Sequence, residues 1–198
     1  MRDQIATGEF TSTPPIVDLA QYALVGLNEK AQKGDDPRQD FLNTIDAITF
    51  DYERSRNRQS LSLERLEMYY QRAFFPVVNL MLVGLGSKLR AIDIPALSFC
   101  QGRVYTVRDL EEDWQRGIIN IPTEVLSEGE LSPNSPFQTV RNNNVVNTWF
   151  SSELLRSKPE LLILQGRLKV SSERLTYLMC NGLIQPMLKL IGQFGSVK

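Results

Sequence analysis

Across the chain the apolar residues return every three or four positions, and no run alternates with period two for long enough to make a convincing strand. That spacing puts the apolar side chains on one face of a helix, so the expected class is all-α. Residues 1–15, polar and closed by Pro14 and Pro15, are expected to be a flexible arm, and 16–198 a single helical domain. The chain has 198 residues, 42% of them hydrophobic, which suffices for one sizeable core but would be a stretch for two.

Breakers and caps divide the helical domain. The first helix runs from Ile16 to Lys33 with Val17, Ala20, Tyr22, Leu24, Val25 and Leu27 at helical period, and stops before Gly34. Asp35 and Asp36 ahead of Pro37 mark the start of a second helix, which carries Phe41, Leu42, Ile45 and Ile48 to about Arg56. A third spans Ser62 to about Leu85, with Pro76 as an expected kink. The fourth runs from about Ala96 to Arg116, closed by Gly117, and Ile118 to Pro122 is extended. The Ser, Pro and Asn content of 127–147 reads as a mobile surface loop. Trp149–Leu155, Glu160–Lys169 and Ser171–Gly192 complete the set, the last with Leu175, Leu178, Met179, Leu183 and Met187 inward.

Composition removes several function classes. There is no histidine, which excludes Ser-His-Asp and Cys-His catalysis and His-ligated zinc. Lys+Arg 22 against Asp+Glu 23 gives a net charge of -1, without the positive field that nucleic-acid binders use, so no nucleic-acid partner is expected. Cys100 and Cys180 have no CxxC spacing and sit among apolar residues, which points to buried free thiols in a reducing compartment. No apolar stretch reaches the roughly 20 residues of a transmembrane helix, and the N-terminus lacks a signal-peptide core. The expected location is cytoplasmic, with membrane association left open.

The chemistry concentrates in Gly102–Pro122, GRVYTVRDLEEDWQRGIINIP. Asp109 and Asp113 are four apart and Glu112 is three from Asp109, so on one helix all three crowd one surface. Such a cluster is either a solvated face or a holder for a hard cation such as Mg²⁺, which takes carboxylate and phosphate oxygens. Arg108 and Arg116 lie beside it and could grip phosphate by forked hydrogen bonds.

The order R-D-x-x-E-D-x-x-R-G with a following Pro resembles the second aspartate-rich motif of squalene and phytoene synthases, with Arg108, Asp109, Glu112, Asp113, Arg116, Gly117 and Pro122 in register. Upstream, Phe41, Ile45 and Asp51 are similar to that family's F-x-x-x-I-x-G-x-x-x-D helix, and Leu66 with Tyr70 to its L-x-x-Y-C. The resemblance covers about Asp36 to Leu126. It implies a helical bundle around an apolar cavity, in which Mg²⁺ on two aspartate-rich motifs holds prenyl diphosphates that are joined head to head. Carried over, Asp109 and Asp113 are Mg²⁺ ligands, Arg108, Arg116 and Glu112 contact substrate, and Tyr70 is a polar group at the cavity.

This sequence departs from the pattern at four places. Only 40 residues precede Phe41, which leaves no room for the first aspartate motif; Asp35, Asp36 and Asp40 mimic one, but Gly34 and Pro37 make them a helix start. Asp46 and Asp51, about 140° apart around a helix, are not a paired ligand set. The family's Gln and Asn ahead of the motif fall on Gly102 and Tyr105. Its small residues after the tyrosine fall on Phe75, Pro76 and Asn79, which are expected to fill space a prenyl tail needs, and its R-x-Y after R-G falls on Ile118 and Asn120. Three readings stay open: an N-terminally shortened synthase completed by a partner or second copy, a non-catalytic scaffold descended from the family, and a truncated gene product. Apolar surface on the helices bearing Tyr22, Leu24, Phe74 and Phe75 favours a homo- or hetero-oligomer.

Overall fold

The computed structural model describes residues 2–7 and 15–194, and among them there are ten α-helices and no strand. The all-α expectation holds. The helices are α1 Arg2–Thr7, α2 Pro15–Lys30, α3 Pro37–Arg56, α4 Leu63–Gly84, α5 Pro95–Arg108, α6 Leu110–Arg116, α7 Thr123–Glu128, α8 Phe137–Arg141, α9 Asn144–Lys169 and α10 Arg174–Phe194.

The caps fall where turn chemistry requires. Asp36 accepts the backbone N–H of Gln39 ahead of α3, with Pro37 in the first turn, and Ser62 accepts that of Arg65 ahead of α4. Gly117 closes α6 at φ 83°, a left-handed conformation that glycine adopts without strain.

α5 sits at the centre, packed against α4, α9 and α10, while α3 lies on the far side of α4. Its apolar positions Leu97, Cys100 and Val104 are fully buried and meet Leu161 of α9 and Ile184 of α10 in one core. Ile119 and Ile121, in the extended stretch after α6, plug the same core. Arg103 of α5 is also buried, and it is tolerated there because Glu67 of α4 and Glu153 and Glu160 of α9 surround it with ion pairs. Cys100 and Cys180 are both buried and free, as expected, and burial pushes their thiols up to about 12 and about 11.

Five local expectations need correction. The flexible-arm reading fails for Arg2–Thr7, which form a helix whose Ile5 is buried against Ala20, Leu24 and Leu42 while Arg2 pairs with Asp46; residues 8–14 of that arm lie outside the described residues. The fourth helix is two: Asp109, at φ −97° and ψ 7°, separates α5 from α6. The mobile-loop reading of 127–147 fails because the segment is packed, with Val140 and Val146 fully buried. Its polar residues are turn and cap devices, since the Asn143 side chain accepts from Val145 and Val146 and donates to the Gly129 carbonyl. Trp149–Leu155 and Glu160–Lys169 are parts of one helix, α9, running through Pro159. Pro159 faces outward, where water reaches the carbonyl it leaves unpaired, and the stripe Leu154, Ser157, Leu161, Leu164 and Leu168 keeps the helix whole from inside. On α10 the buried stripe is Thr176, Cys180, Ile184, Met187 and Ile191, so Leu175 and Leu178 point outward.

Of the residues expected to leave apolar surface, Tyr22 is exposed, Leu24 is buried, and Phe74 and Phe75 are half-buried.

Candidate functional site

A cavity of about 270 Å³ opens where α3, α4, α5 and the start of α6 meet, and three carboxylates line it: Asp51, Asp109 and Asp113. Although Asp109 lies at a bend, the backbone ladder continues through it. Asp109 N–H donates to the Tyr105 carbonyl and Asp113 N–H to the Asp109 carbonyl, each at 2.8 Å, so the two acids stay one turn apart and face one cavity.

The three acids are held differently. The two oxygens of Asp109 receive the fork of Arg108, each at 2.7 Å, while the Arg108 guanidinium stacks on Tyr105 at 3.9 Å from the ring centre. Asp51 accepts Arg54 Nε on one oxygen at 2.7 Å and the Tyr69 hydroxyl on the other at 2.5 Å. Asp113 receives the Asn120 amide on Oδ2 at 3.0 Å, and among the described residues it has no ion pair. Burial first, and repulsion by Asp109 second, push its carboxyl up to about 6.

Arg54 organises the floor. It is 1% exposed, and its guanidinium donates to Asp51, to the Ile119 carbonyl at 3.0 Å and to the Asn120 side-chain oxygen at 2.5 Å, with Tyr69 stacked 4.8 Å away. Its fork is therefore spent on holding partners. Asn120, in turn, is oriented to present its amide to Asp113.

Tyr70 is among the residues lining the cavity, and its hydroxyl hydrogen-bonds Thr106 at 2.9 Å inside the protein, where burial drives its titration well above the ordinary tyrosine range. Its side chain packs directly against Gly102, where an added Cβ would come within 2.3 Å of the ring. The two residues are complementary in shape.

Glu112 and Arg116 do not reach the cavity. They pair with each other at 2.7 Å on the outer face of α6, both largely exposed, so the sequence motif brings only its two aspartates to the cavity lining. Glu112 and Asp113 share the first turn of α6 but differ by about 100° around its axis, so that Asp113 lies on the cavity side and Glu112 on the solvent side.

A second groove, of about 590 Å³, runs between α3 and α4 and shares Tyr69 with the first. Phe50, Leu61, Met68, Phe75 and Pro76 supply its apolar wall. Phe75, Pro76 and Asn79, the large residues at the positions where the family has small ones, form part of its lining. Asp40 lies at its rim near Asn79, half-buried, and burial pushes its carboxyl up to about 6. The rest of the DDPRQD run is structural, since Asp36 caps α3 and Asp35 takes the fork of Arg90 at 2.5 and 2.6 Å.

Sequence reasoning did not assign a site role to two residues of the cavity lining, Asp51 and Asn120, or to Arg54, which holds both from behind. Asp51 carries a signal as the last residue of the F-x-x-x-I-x-G-x-x-x-D resemblance, but its spacing to Asp46 on the same helix gives no paired set, and the acids that share its cavity lie on other elements. Arg54 and Asn120 meet across 66 positions of chain, which no local pattern encodes.

Among the described residues no three acidic or cysteine side chains converge to hold a metal by themselves. The donors at hand are hard carboxylate oxygens, of which only Asp113 has one without a hydrogen bond. That set suits a Mg²⁺ taking one or two carboxylates and completing its shell with phosphate and water, once Arg108 releases Asp109.

No curated protein and no solved structure matches the chain significantly. The family model for squalene/phytoene synthase matches residues 10–155, which span α2 through the first half of α9 and include every residue of the acidic cavity. With well over half its length inside that match, the chain belongs to the squalene/phytoene synthase family.

Proposed function

We propose that the acidic cavity takes the diphosphate of a prenyl diphosphate together with Mg²⁺, and that the adjoining groove takes its hydrocarbon tail. The observation that carries this is Asp113: a half-buried carboxylate, set against two other acids and without a cation of its own. Such repulsion, offset only in part by the buried Arg54, is relieved by a further positive charge. Asp109 and Asp113 are the residues that would hold the ion, and Arg108, now on Asp109, is free to pass its fork to phosphate. When bound, Mg²⁺ offsets the charge of the departing diphosphate.

Size supports the division of labour. A cavity of about 270 Å³ is below the range of roughly 300 to 1,000 Å³ usual for drug-sized ligands, so it suits a head group. The groove beyond Tyr69 is about twice as large; its wall of Phe50, Leu61, Met68, Phe75 and Pro76 offers a tail an apolar side, facing polar Asn43, Arg65, Gln71 and Arg72. In an active chain the two prenyl groups are joined head to head. The buried residues here position rather than react: Arg54 holds Asp51 and Asn120, and Tyr70 is tied to Thr106.

The second reading, a scaffold without catalysis, rests on Glu112 and Arg116 being spent on each other at the surface. Thermal unfolding with Mg²⁺ and farnesyl diphosphate separates binding from its absence. A ligand bound only by the folded chain raises the midpoint, and Asp109→Asn with Asp113→Asn abolishes the rise. No rise at millimolar ligand in the unmodified chain rejects the binding reading, and a rise without product formation selects the scaffold.

A further inference from the structure

α2 turns a mixed stripe to the outside. Asp18, Tyr22, Val25 and Glu29 follow one another at intervals of four, three and four residues, so they share the helix face opposite buried Ala20 and Leu24. Tyr22 is 79% exposed and Leu19 beside it 65%, and both acids are exposed. Among the described residues neither acid has an ion pair. The stripe therefore presents two uncompensated negative charges with apolar side chains between them.

The antiparallel pair α9 and α10, joined through Gln165 and Asn181 at 2.7 Å, presents the converse. By helical position Lys158 and Lys169 of α9 and Arg174 of α10 stand along the outer side of this seam, and all three are exposed. Exposed Leu155 and Leu162 border them on one side and exposed Leu178 on the other. The acids of the two helices are spent elsewhere: Glu153 and Glu160 pair with Arg103, and Glu173 bonds Ser87 and Thr176. Among the described residues no acid forms an ion pair with any of the three cations. The two charge sets also have one spacing, since Asp18 and Glu29 are eleven residues apart and so are Lys158 and Lys169. On a helix that is about 16 Å along the axis and about 20° around it. Laid along the seam in either direction, α2 brings each acid to a lysine. Within one copy the two are kept apart, because α2 packs on α3 and α4 while α9 and α10 pack on α5.

We propose that α2 of one copy docks in the α9–α10 seam of a second copy, Asp18 and Glu29 pairing with Lys158 and Lys169 around a contact of Tyr22 and Val25 with Leu162 and Leu178. Apolar burial supplies the attraction, and the matched charges fix the register and exclude like-charged faces. A bilayer suits this seam less, because an interfacial contact puts apolar residues at its middle and cations at its edge, whereas here the cations run between the leucines. Among the described residues no helix is long and apolar enough to cross a membrane. The docking does not rest on what the acidic cavity holds, since the cavity lining includes none of these residues.

The test is sedimentation velocity of the full chain across the micromolar range. Oligomers are expected at low salt, weakening about tenfold or more as salt is raised. Lys158→Glu with Lys169→Glu, and separately Asp18→Lys with Glu29→Lys, should each weaken association about tenfold or more. An equimolar mixture of the two variants should restore it, because each then offers the charges that the other's face requires. Tyr22→Ser, which alters no charge, should weaken it as well. All these side chains are exposed, so circular dichroism should stay unchanged. A chain that is monomeric throughout, oligomers indifferent to both reversals, or a mixture of folded variants that stays monomeric would each overturn the proposal. So would a monomer that sediments with phosphatidylglycerol vesicles and loses them on Lys158→Glu with Lys169→Glu, which would give the seam to lipid.

Discussion

Arg54 on α3 and Asn120 after α6, 66 residues apart, meet through a 2.5 Å hydrogen bond, and the same Asn120 gives its amide to Asp113. A wholly buried guanidinium thus reaches the cavity acids twice, directly at Asp51 and through Asn120 at Asp113. Arg54→Met takes the cation from Asp51, which keeps only the Tyr69 hydroxyl, and the donor from the Ile119 carbonyl, and is expected to destabilise the protein by about 3 kcal/mol, read from urea unfolding. Arg54→Lys should recover less than half of the loss, because one ammonium cannot span three acceptors set in a fork.

Asp113→Asn is expected to stabilise the free protein and at the same time to remove its response to Mg²⁺ and diphosphate. The folded carboxyl titrates at about 6 against an ordinary 3.8. Its contribution is therefore favourable below the ordinary value and is lost as pH rises through the folded one. The gain from the substitution should be absent near pH 3.8, grow up to about pH 6 and stay constant above. After discounting for the exposed part of the group, about 1 kcal/mol is expected at neutral pH. Unfolding midpoints of both proteins measured across that range check the sign, and a variant less stable than the parent at neutral pH contradicts it.

Gly102→Ala places a methyl 2.3 Å from the Tyr70 ring, well inside contact distance. The expected cost is about 1–3 kcal/mol from overpacking. Because both sides of the contact are known, a double-mutant cycle with Tyr70→Leu should show coupling, the alanine costing less once the ring is gone. Equal costs in the two backgrounds would mean that the ring does not rest on Gly102.

Gly117→Ala strains the chain twice. Its φ of 83° is left-handed, and an added Cβ would lie 2.4 Å from the Ser55 carbonyl at the end of α3. The conformation alone costs about 1–2 kcal/mol, and the contact forces α6 away from α3. A fall in the thermal midpoint larger than that of Gly192→Ala, where an added Cβ meets nothing within 4 Å, is the expected result.

Most of the helices were legible in the sequence because their causes are local. Asp36 and Pro37, Ser62, and Gly117 start or stop helices through bonds to residues within a turn, and apolar period follows from the geometry of a single helix. The motif aspartates were legible for the same reason, since a four-residue spacing puts Asp109 and Asp113 on one face even across a bend. What remained hidden depended on distant parts of the chain. Pro159 reads as a break, yet the core stripe on its inner side keeps α9 whole; Asn143 reads as loop, yet it caps a helix anchored by buried Val146. The third acid of the cavity, Asp51, and the choice between inward Asp113 and outward Glu112 were decided by how α3, α5 and α6 pack. Spacing fixes which residues share a helix face, and only the neighbours fix which face is inside.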